Sequence, residues 1–232
     1  KNIYTYGTNL KSNFLIKNIN PKIDYTEFDL IVNVPNKKKQ NIRRLKIPLL
    51  GIHNVRNSVA AVAVSLTVGI SIKDIKEGLL NFKGVQRRFN KIFTFNNIDF
   101  YDDYAHHPTE IKAVLNSVKQ IYKKRKIICV FQPHRYSRVK YLKKEFASSF
   151  KFCDLLVLCP VYSAGEKVKY NFNQNNFSKL ISEKSNVQVI NINDQNNLKN
   201  FIEKNLFEDE LIICMGAGSI SNWIRDIGVE LK

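Results

Sequence analysis

No apolar run in this chain approaches the roughly 20 consecutive residues of a membrane-spanning helix, and its start carries no signal-peptide pattern. No transmembrane helix and no membrane partner are therefore expected. Cysteine is scarce: Cys129, Cys153, Cys159 and Cys214 are the only four, and no two form a CxxC pair. Three of them sit in apolar, strand-like runs, so they read as buried thiols in a reducing, cytoplasmic setting rather than as metal ligands or disulfides. Zinc-finger spacing and interleaved aromatic RNA-binding motifs are also missing, and nucleic acid is not an expected partner. Acidic residues are few, 20 against 37 Lys plus Arg, which leaves a net charge of +17. That excess either marks an anionic partner such as nucleotide phosphate or reflects a general Lys-rich usage, visible in surface-like turns at Lys37 to Lys39 and Lys123 to Lys126.

What is present is ordinary globular material. The 232 residues are 44% hydrophobic and 25% charged, enough for one large or two small domains. Residues 1 to 48 alternate short β-rich runs (Ile3 to Tyr6, Phe14 to Ile19, Phe28 to Val34, Ile42 to Ile47) with turn residues, in the manner of a meander. Val55, Val59, Val62 and Leu66 then form one apolar face of a helix over 55–68, and a second helix is expected over 72–81, capped by Ser71. Phe82 to Val85 reads as a linker, dividing the chain into domains 1–84 and 85–232.

Beyond the linker, strands and helices alternate. A hairpin over 89–95 and 98–102 turns at Asn96 and Asn97. Helix 108–123, strand 127–132, helix 138–151, strand 155–159, helix 175–184, strand 187–192, helix 195–205, strand 211–215 and helix 219–228 follow. Such a pattern implies an α/β fold, a mostly parallel sheet with helices on both faces. Its right-handed crossovers bring the C-terminal ends of the strands to one edge.

The chemistry-bearing residues cluster just after those strands. Asp102, Asp103, Tyr104, His106 and His107 follow one strand, and Pro108 and Glu110 suit the first turn of the next helix. The alternative is a surface turn feeding a capped helix. His134, Arg135 and Arg138 follow a second strand, two guanidinium groups three residues apart at a helix start, an arrangement suited to a carboxylate or phosphate. Cations there oppose the helix dipole, so something should compensate them. Tyr162 to Glu166 follows a third strand. The turn Gly216 to Gly218 follows a fourth and permits close backbone approach, whether to a ligand or to a packed neighbour. Upstream, His53, Asn54 and Asn57 lie within one helical turn, where amides can read an adenine edge, although Asn54 could simply cap the helix. Arg87 and Arg88 stand at the predicted junction, a common place for a ligand cleft.

Taken in order, GxHNxxNxxAA at 51–61, GVQRRF at 84–89, DDYAHHPTEI at 102–111, FQPHRYSR at 131–138, YSAGE at 162–166 and MGAGSI at 215–220 resemble the Mur ligases over nearly the whole chain. The resemblance implies a Rossmann-like C-terminal domain preceded by the end of the family's central ATP-binding domain. It also implies an ATP-dependent amide ligation through an acyl phosphate, in the assembly of peptidoglycan precursors. DDYAHHPTE together with FQPHRYSR implies the branch that joins L-alanine to UDP-N-acetylmuramate. Carried over by position, His53, Asn54 and Asn57 would hold adenine, Arg88 the nucleotide phosphates and Asp103 the ribose. Tyr104, His106, His134, Arg135 and Arg138 would form the alanine pocket, with His106 and Arg88 closest to the chemistry.

No GxxxxGK[ST] phosphate loop occurs in the chain. The same resemblance places that loop, the UDP-binding domain and the Mg2+ ligands upstream of Lys1, so the 232 residues alone are expected not to turn over. Two further ligand-binding readings remain open: a ligase that attaches a tripeptide to UDP-N-acetylmuramate for cell-wall recycling, and a non-catalytic α/β module. A metal hydrolase built on Asp102, Asp103, His106 and His107 is a third, without further ligands at recognisable spacing.

Overall fold

The computed structural model describes residues 3–36, 38–82, 85–167, 172–206 and 209–231. Lys83 and Gly84 of the expected linker, and Lys37 of the lysine turn, lie outside the described residues. The chain divides into two compact units, Lys1–Val85 and Gln86–Lys232.

In the first unit, β2 (Phe14–Pro21), β3 (Thr26–Val32) and β4 (Gln40–Ile47) form an antiparallel meander. Along β3 buried and half-buried residues alternate, because only one sheet face is covered. That face packs on α1 (Ile52–Thr67), through Val55, Val59 and Val62, and on α2 (Ile72–Leu80), through Ile75. Ser71 caps α2 by accepting the Asp74 N–H, as its sequence position suggests. Two details differ from expectation. The first strand is only β1 (Tyr6–Gly7), and it runs parallel to β2 instead of turning back in a hairpin. And α1 starts three residues early, at Ile52. Gly51 takes the N-cap position at φ 92°, which apolar periodicity alone does not register.

The second unit is a six-stranded sheet in the order β5-β6-β10-β7-β8-β9. The strands are β5 (Asn90–Phe95), β6 (Ile98–Asp103), β7 (Lys126–Phe131), β8 (Leu155–Leu158), β9 (Gln188–Asn191) and β10 (Glu210–Met215). All pairings are parallel except β5 with β6, a hairpin whose Asn96 and Asn97 both adopt positive φ, the geometry of a tight two-residue turn. Successive residues of β7 serve opposite faces. Ile127, Cys129 and Phe131 pack with α3 (Pro108–Ile121), α5 (Lys143–Ala147) and α6 (Gln174–Ser185). Ile128 and Val130 pack with α7 (Gln195–Asn205) and α8 (Ile220–Glu230). At roughly 1.5–3 kcal/mol per large apolar side chain removed from water, these two layers hold the sheet.

The single helix expected over 138–151 is instead two short ones, α4 (Tyr136–Tyr141) and α5, broken at Leu142, which has a ψ of 24°. No Gly or Pro stands there to signal the break. The four cysteines are free and buried, and burial raises their thiol pKa values. Among the described residues, no helix is long and apolar enough to cross a membrane.

Candidate active site

The register of the sheet sets the site. Met215 pairs with both Asp103 and Phe131, and Phe131 pairs with Leu158, so four strands end at one level. The loops that follow β6, β7, β8 and β10 therefore leave the same edge together.

In the β6 loop, Asp103 is buried, and its two oxygens accept the N–H groups of Phe89 (2.9 Å) and Ala105 (2.7 Å). Burial pushes its carboxyl up to about 6, against the opposing pull of those bonds and of the nearby Arg88. Asp102 is fully buried and faces elsewhere. Ser221 donates to its Oδ2 at 2.5 Å, Arg225 does so at 3.2 Å, and Arg87 lies 3.8 Å from its Oδ1. His107 caps α3, accepting the Thr109 N–H, while Glu110 receives the N–H groups of His106 and His107. The two aspartates and His107 are thus committed to separate partners, and among the described residues no group of three His, Cys, Asp or Glu is placed to hold a metal ion.

Tyr104 and His106 are left facing outward from the same loop. Tyr104 is 38% exposed. The His106 ring meets it edge-on at 5.2 Å, and the His106 Nδ1 lies 2.9 Å from the Tyr104 carbonyl oxygen.

The β7 loop brings His134 to 5.9 Å from His106, ring centre to ring centre. His134 stacks on Tyr162 of the β8 loop at 5.4 Å, and the two residues form an isolated parallel bridge. Arg135 sits at φ 70°, a sparsely populated conformation for a side-chain-bearing residue; its N–H donates to the Tyr162 carbonyl at 2.8 Å, which helps fix it. Arg138, one turn into α4, lies 3.4 Å from both the Nδ1 and the carbonyl oxygen of His134. Burial depresses the His134 pKa, and Arg138, His106 and Arg135 add to the effect in that order. The compensation required at the start of α4 comes from Glu166. Its carboxylate accepts both the N–H and the hydroxyl of Ser137, and these bonds hold it below the usual carboxylate range.

The β10 loop is a packing device. A Cβ on Gly216 would stand 2.8 Å from the Gln132 carbonyl, at a backbone φ of +153°. One on Gly218 would stand 2.5 Å from Tyr162 and from the Gln132 amide oxygen. That oxygen accepts the Ile220 N–H at 3.0 Å, so Gln132 occupies the start of α8. Arg87 donates to the Gly216 carbonyl and lies over the Tyr104 ring at 4.7 Å.

The structure therefore gathers Tyr104, His106, His134, Arg135 and Arg138 at one edge, and the buried Asp103 of the same loop has Arg88 near it. Four residues without an assigned role in the sequence reading, Arg87, Gln132, Tyr162 and Glu166, hold the loops together. In the first unit, His53 and Asn54 lie in the first turn of α1 and Asn57 is exposed one turn on. Asn54 does not take the cap position; its amide donates back to the Leu50 carbonyl at 2.8 Å.

Residues 87–218 match the family model described as Mur ligase, glutamate ligase domain. The chain belongs to the Mur ligase family. A UDP-N-acetylmuramate–L-alanine ligase of Pelagibacter ubique is 56% identical over 227 residues, 98% of this chain and 49% of that protein. The enzyme of the same name from Rickettsia africae is 38% identical over 237 residues, covering 100% of this chain and 49% of its own length. Among solved structures, UDP-N-acetylmuramate-alanine ligase MurC from Thermotoga maritima superposes with a TM-score of 0.77 at 26% identity, over 98% of this chain and 47% of that one. A murein peptide ligase from Psychrobacter arcticus superposes at 0.67 with 20% identity over 98% of this chain and 46% of that one, a likeness of fold. This Mur ligase chain spans about half the length of the curated relatives it matches.

Proposed function

We propose that this chain supplies the amino-acid-binding part of an ATP-dependent UDP-N-acetylmuramate–L-alanine ligase, an enzyme of peptidoglycan precursor synthesis. The observation that carries the reading is the convergence of Tyr104, His106, His134, Arg135 and Arg138 on one strand-end edge, in a chain 56% identical to an enzyme of that name. In the proposed reaction, the lactyl carboxylate of UDP-N-acetylmuramate takes the γ-phosphoryl group of ATP and becomes an acyl phosphate. The amino group of L-alanine then attacks the carbonyl carbon and phosphate leaves. Arg135 and Arg138 hold the alanine carboxylate, the charge-assisted, forked contact for which guanidinium is suited. Tyr104, His106 and His134 surround the amine.

For the nucleotide, roles are proposed within each unit. In the first, His53, Asn54 and Asn57 take adenine; the exposed Asn57 amide is the freest of the three to do so. In the second, Arg88 takes phosphate and Asp103 the ribose. Asp103 has both oxygens bonded to backbone, so its ribose contact uses a remaining lone pair. Mg2+ would neutralise phosphate charge when bound. The described residues offer no set that fits it, and no step here is routed through it.

The test is phosphate release by the protein that carries this chain together with its upstream half, given ATP, Mg2+ and UDP-N-acetylmuramate. Release dependent on L-alanine supports the reading. Release dependent on a tripeptide instead selects the recycling ligase, and no release with either selects a non-catalytic module.

A further inference from the structure

The two imidazoles that face each other across the site have different partners, and this divides their work. A carbonyl oxygen can only accept, so the His106 Nδ1, 2.9 Å from the Tyr104 carbonyl, carries hydrogen, and in the neutral ring its Nε2 keeps a lone pair. A guanidinium can only donate, so Arg138 Nη1, 3.4 Å from both the Nδ1 and the carbonyl oxygen of His134, fits a neutral His134 ring whose hydrogen is on Nε2. His134 thus presents a donor and His106 an acceptor.

The surroundings favour the same division. On the His106 side, Glu110 Oε2 lies 3.7 Å from Nδ1, where it can stabilise an imidazolium once formed, and it is fixed there by the N–H groups of His106 and His107. On the His134 side stand two cations, Arg135 and Arg138, and burial, all of which keep that ring neutral. The titratable groups in contact with His106 are Tyr104 and Glu110 from its own segment and His134 from the β7 loop; Arg138 and Arg135 act on His134.

We propose that His106 is the proton acceptor for the incoming amino group and that His134 is a neutral hydrogen-bond donor beside it; this rests on the ligase reading above. In this step Nε2 of His106 takes one proton from the ammonium group of L-alanine, which leaves a neutral amine. As that nitrogen bonds to the acyl-phosphate carbon, the bond from the carbon to the phosphate oxygen breaks, and phosphate leaves with the electron pair and takes up the second N–H proton. The amide is left neutral and His106 is left as imidazolium, facing Glu110. Tyr104 serves as the fixed carbonyl that sets the tautomer.

Two nucleophiles separate proton transfer from everything else. L-Alanine reaches the enzyme mainly as an ammonium ion, whereas hydroxylamine is mainly uncharged at neutral pH and traps the acyl phosphate without a base. His106→Asn, in the protein with its upstream half, keeps an amide N–H where Nδ1–H stands but cannot take a proton. A positioned general base contributes on the order of 100- to 10,000-fold. His106→Asn is therefore expected to lower kcat with L-alanine at least about 100-fold, with hydroxamate formation kept within about threefold. Glu110→Gln keeps one capping oxygen but removes the charge beside Nδ1 of His106, and it should lower kcat with L-alanine more than it lowers hydroxamate formation. Loss of hydroxamate in step with alanine ligation, retention of kcat with alanine in His106→Asn, or equal effects of Glu110→Gln on both nucleophiles would each overturn the assignment. A wild-type protein that forms hydroxamate yet never uses L-alanine would instead overturn the ligase reading.

Discussion

The guanidinium of Arg87 lies 4.7 Å from the centre of the Tyr104 ring, while its Nε stands 3.8 Å from the fully buried Asp102. Arg87 also donates to the Gly216 carbonyl, so one side chain ties the β6 loop to the β10 loop. Asp102 keeps Ser221 and Arg225 when Arg87 is removed, but its Oδ1, already without a hydrogen bond, then loses its nearest cation. Arg87→Met is expected to lower stability by roughly 1–3 kcal/mol, the usual cost of a poorly satisfied buried polar group. Urea denaturation measures it, and an unchanged midpoint would show that Arg225 alone compensates Asp102.

Gly218 admits the Tyr162 ring, which in turn carries His134. Gly218→Ala places a methyl group 2.5 Å from Tyr162 and from Gln132. Overpacking of this kind costs about 1–3 kcal/mol. A thermal scan should show a lower Tm, and, in the protein with its upstream half, the KM for L-alanine under the proposed activity should rise because His134 moves with Tyr162. A variant with unaltered Tm and KM would mean the turn has slack.

Asp103 gives a pH signature. Its folded-state carboxyl is raised from 3.8 to about 6, so the folded chain holds its proton to higher pH than the unfolded one. The associated stability is fully present below pH 3.8 and is lost as pH rises through about 6. Between pH 4.5 and 7 this single group should remove about 2 kcal/mol. Asp103→Asn does not titrate, so the stability gap between wild type and variant should shift by that amount over the interval. A gap independent of pH would show that the carboxyl is not raised.

Glu166 acts through α4. Its carboxylate receives the Ser137 N–H and hydroxyl, and so holds the helix start on which Arg135 and Arg138 stand. In the protein with its upstream half, under the proposed activity, Glu166→Ala should raise the KM for L-alanine several-fold with little change in that for ATP, and Glu166→Gln should recover part of the loss. Equal effects on both substrates would assign Glu166 to general folding.

Much of this is legible in the sequence. The apolar strands of the second unit are buried on both faces, so they read as short continuous runs, and their alternation with helices fixes the parallel sheet. The edge that collects Tyr104, His106, His134, Arg135 and Arg138 follows from that topology alone. The dipole argument even required a counter-charge at the start of α4, though not its identity, because Glu166 lies 28 residues beyond Arg138 and reaches Ser137 only through the fold. The same distance in sequence hid the Arg87–Asp102–Arg225 cluster and the fit of Gln132 into the Gly216 to Gly218 turn. The break at Leu142 carries no local signal, since no Gly or Pro stands there.

The most direct test of the carboxylate clamp compares L-alanine with L-alaninamide, which keeps the amine and lacks the charge, in the protein with its upstream half. The wild type should prefer L-alanine in kcat/KM by roughly 10- to 100-fold, the equivalent of a charged hydrogen bond of about 1.5–3 kcal/mol. Arg138→Ala should erase most of that preference by losing activity toward L-alanine alone. A variant that loses both substrates equally, with the preference intact, would contradict the assignment of Arg135 and Arg138 to the alanine carboxylate.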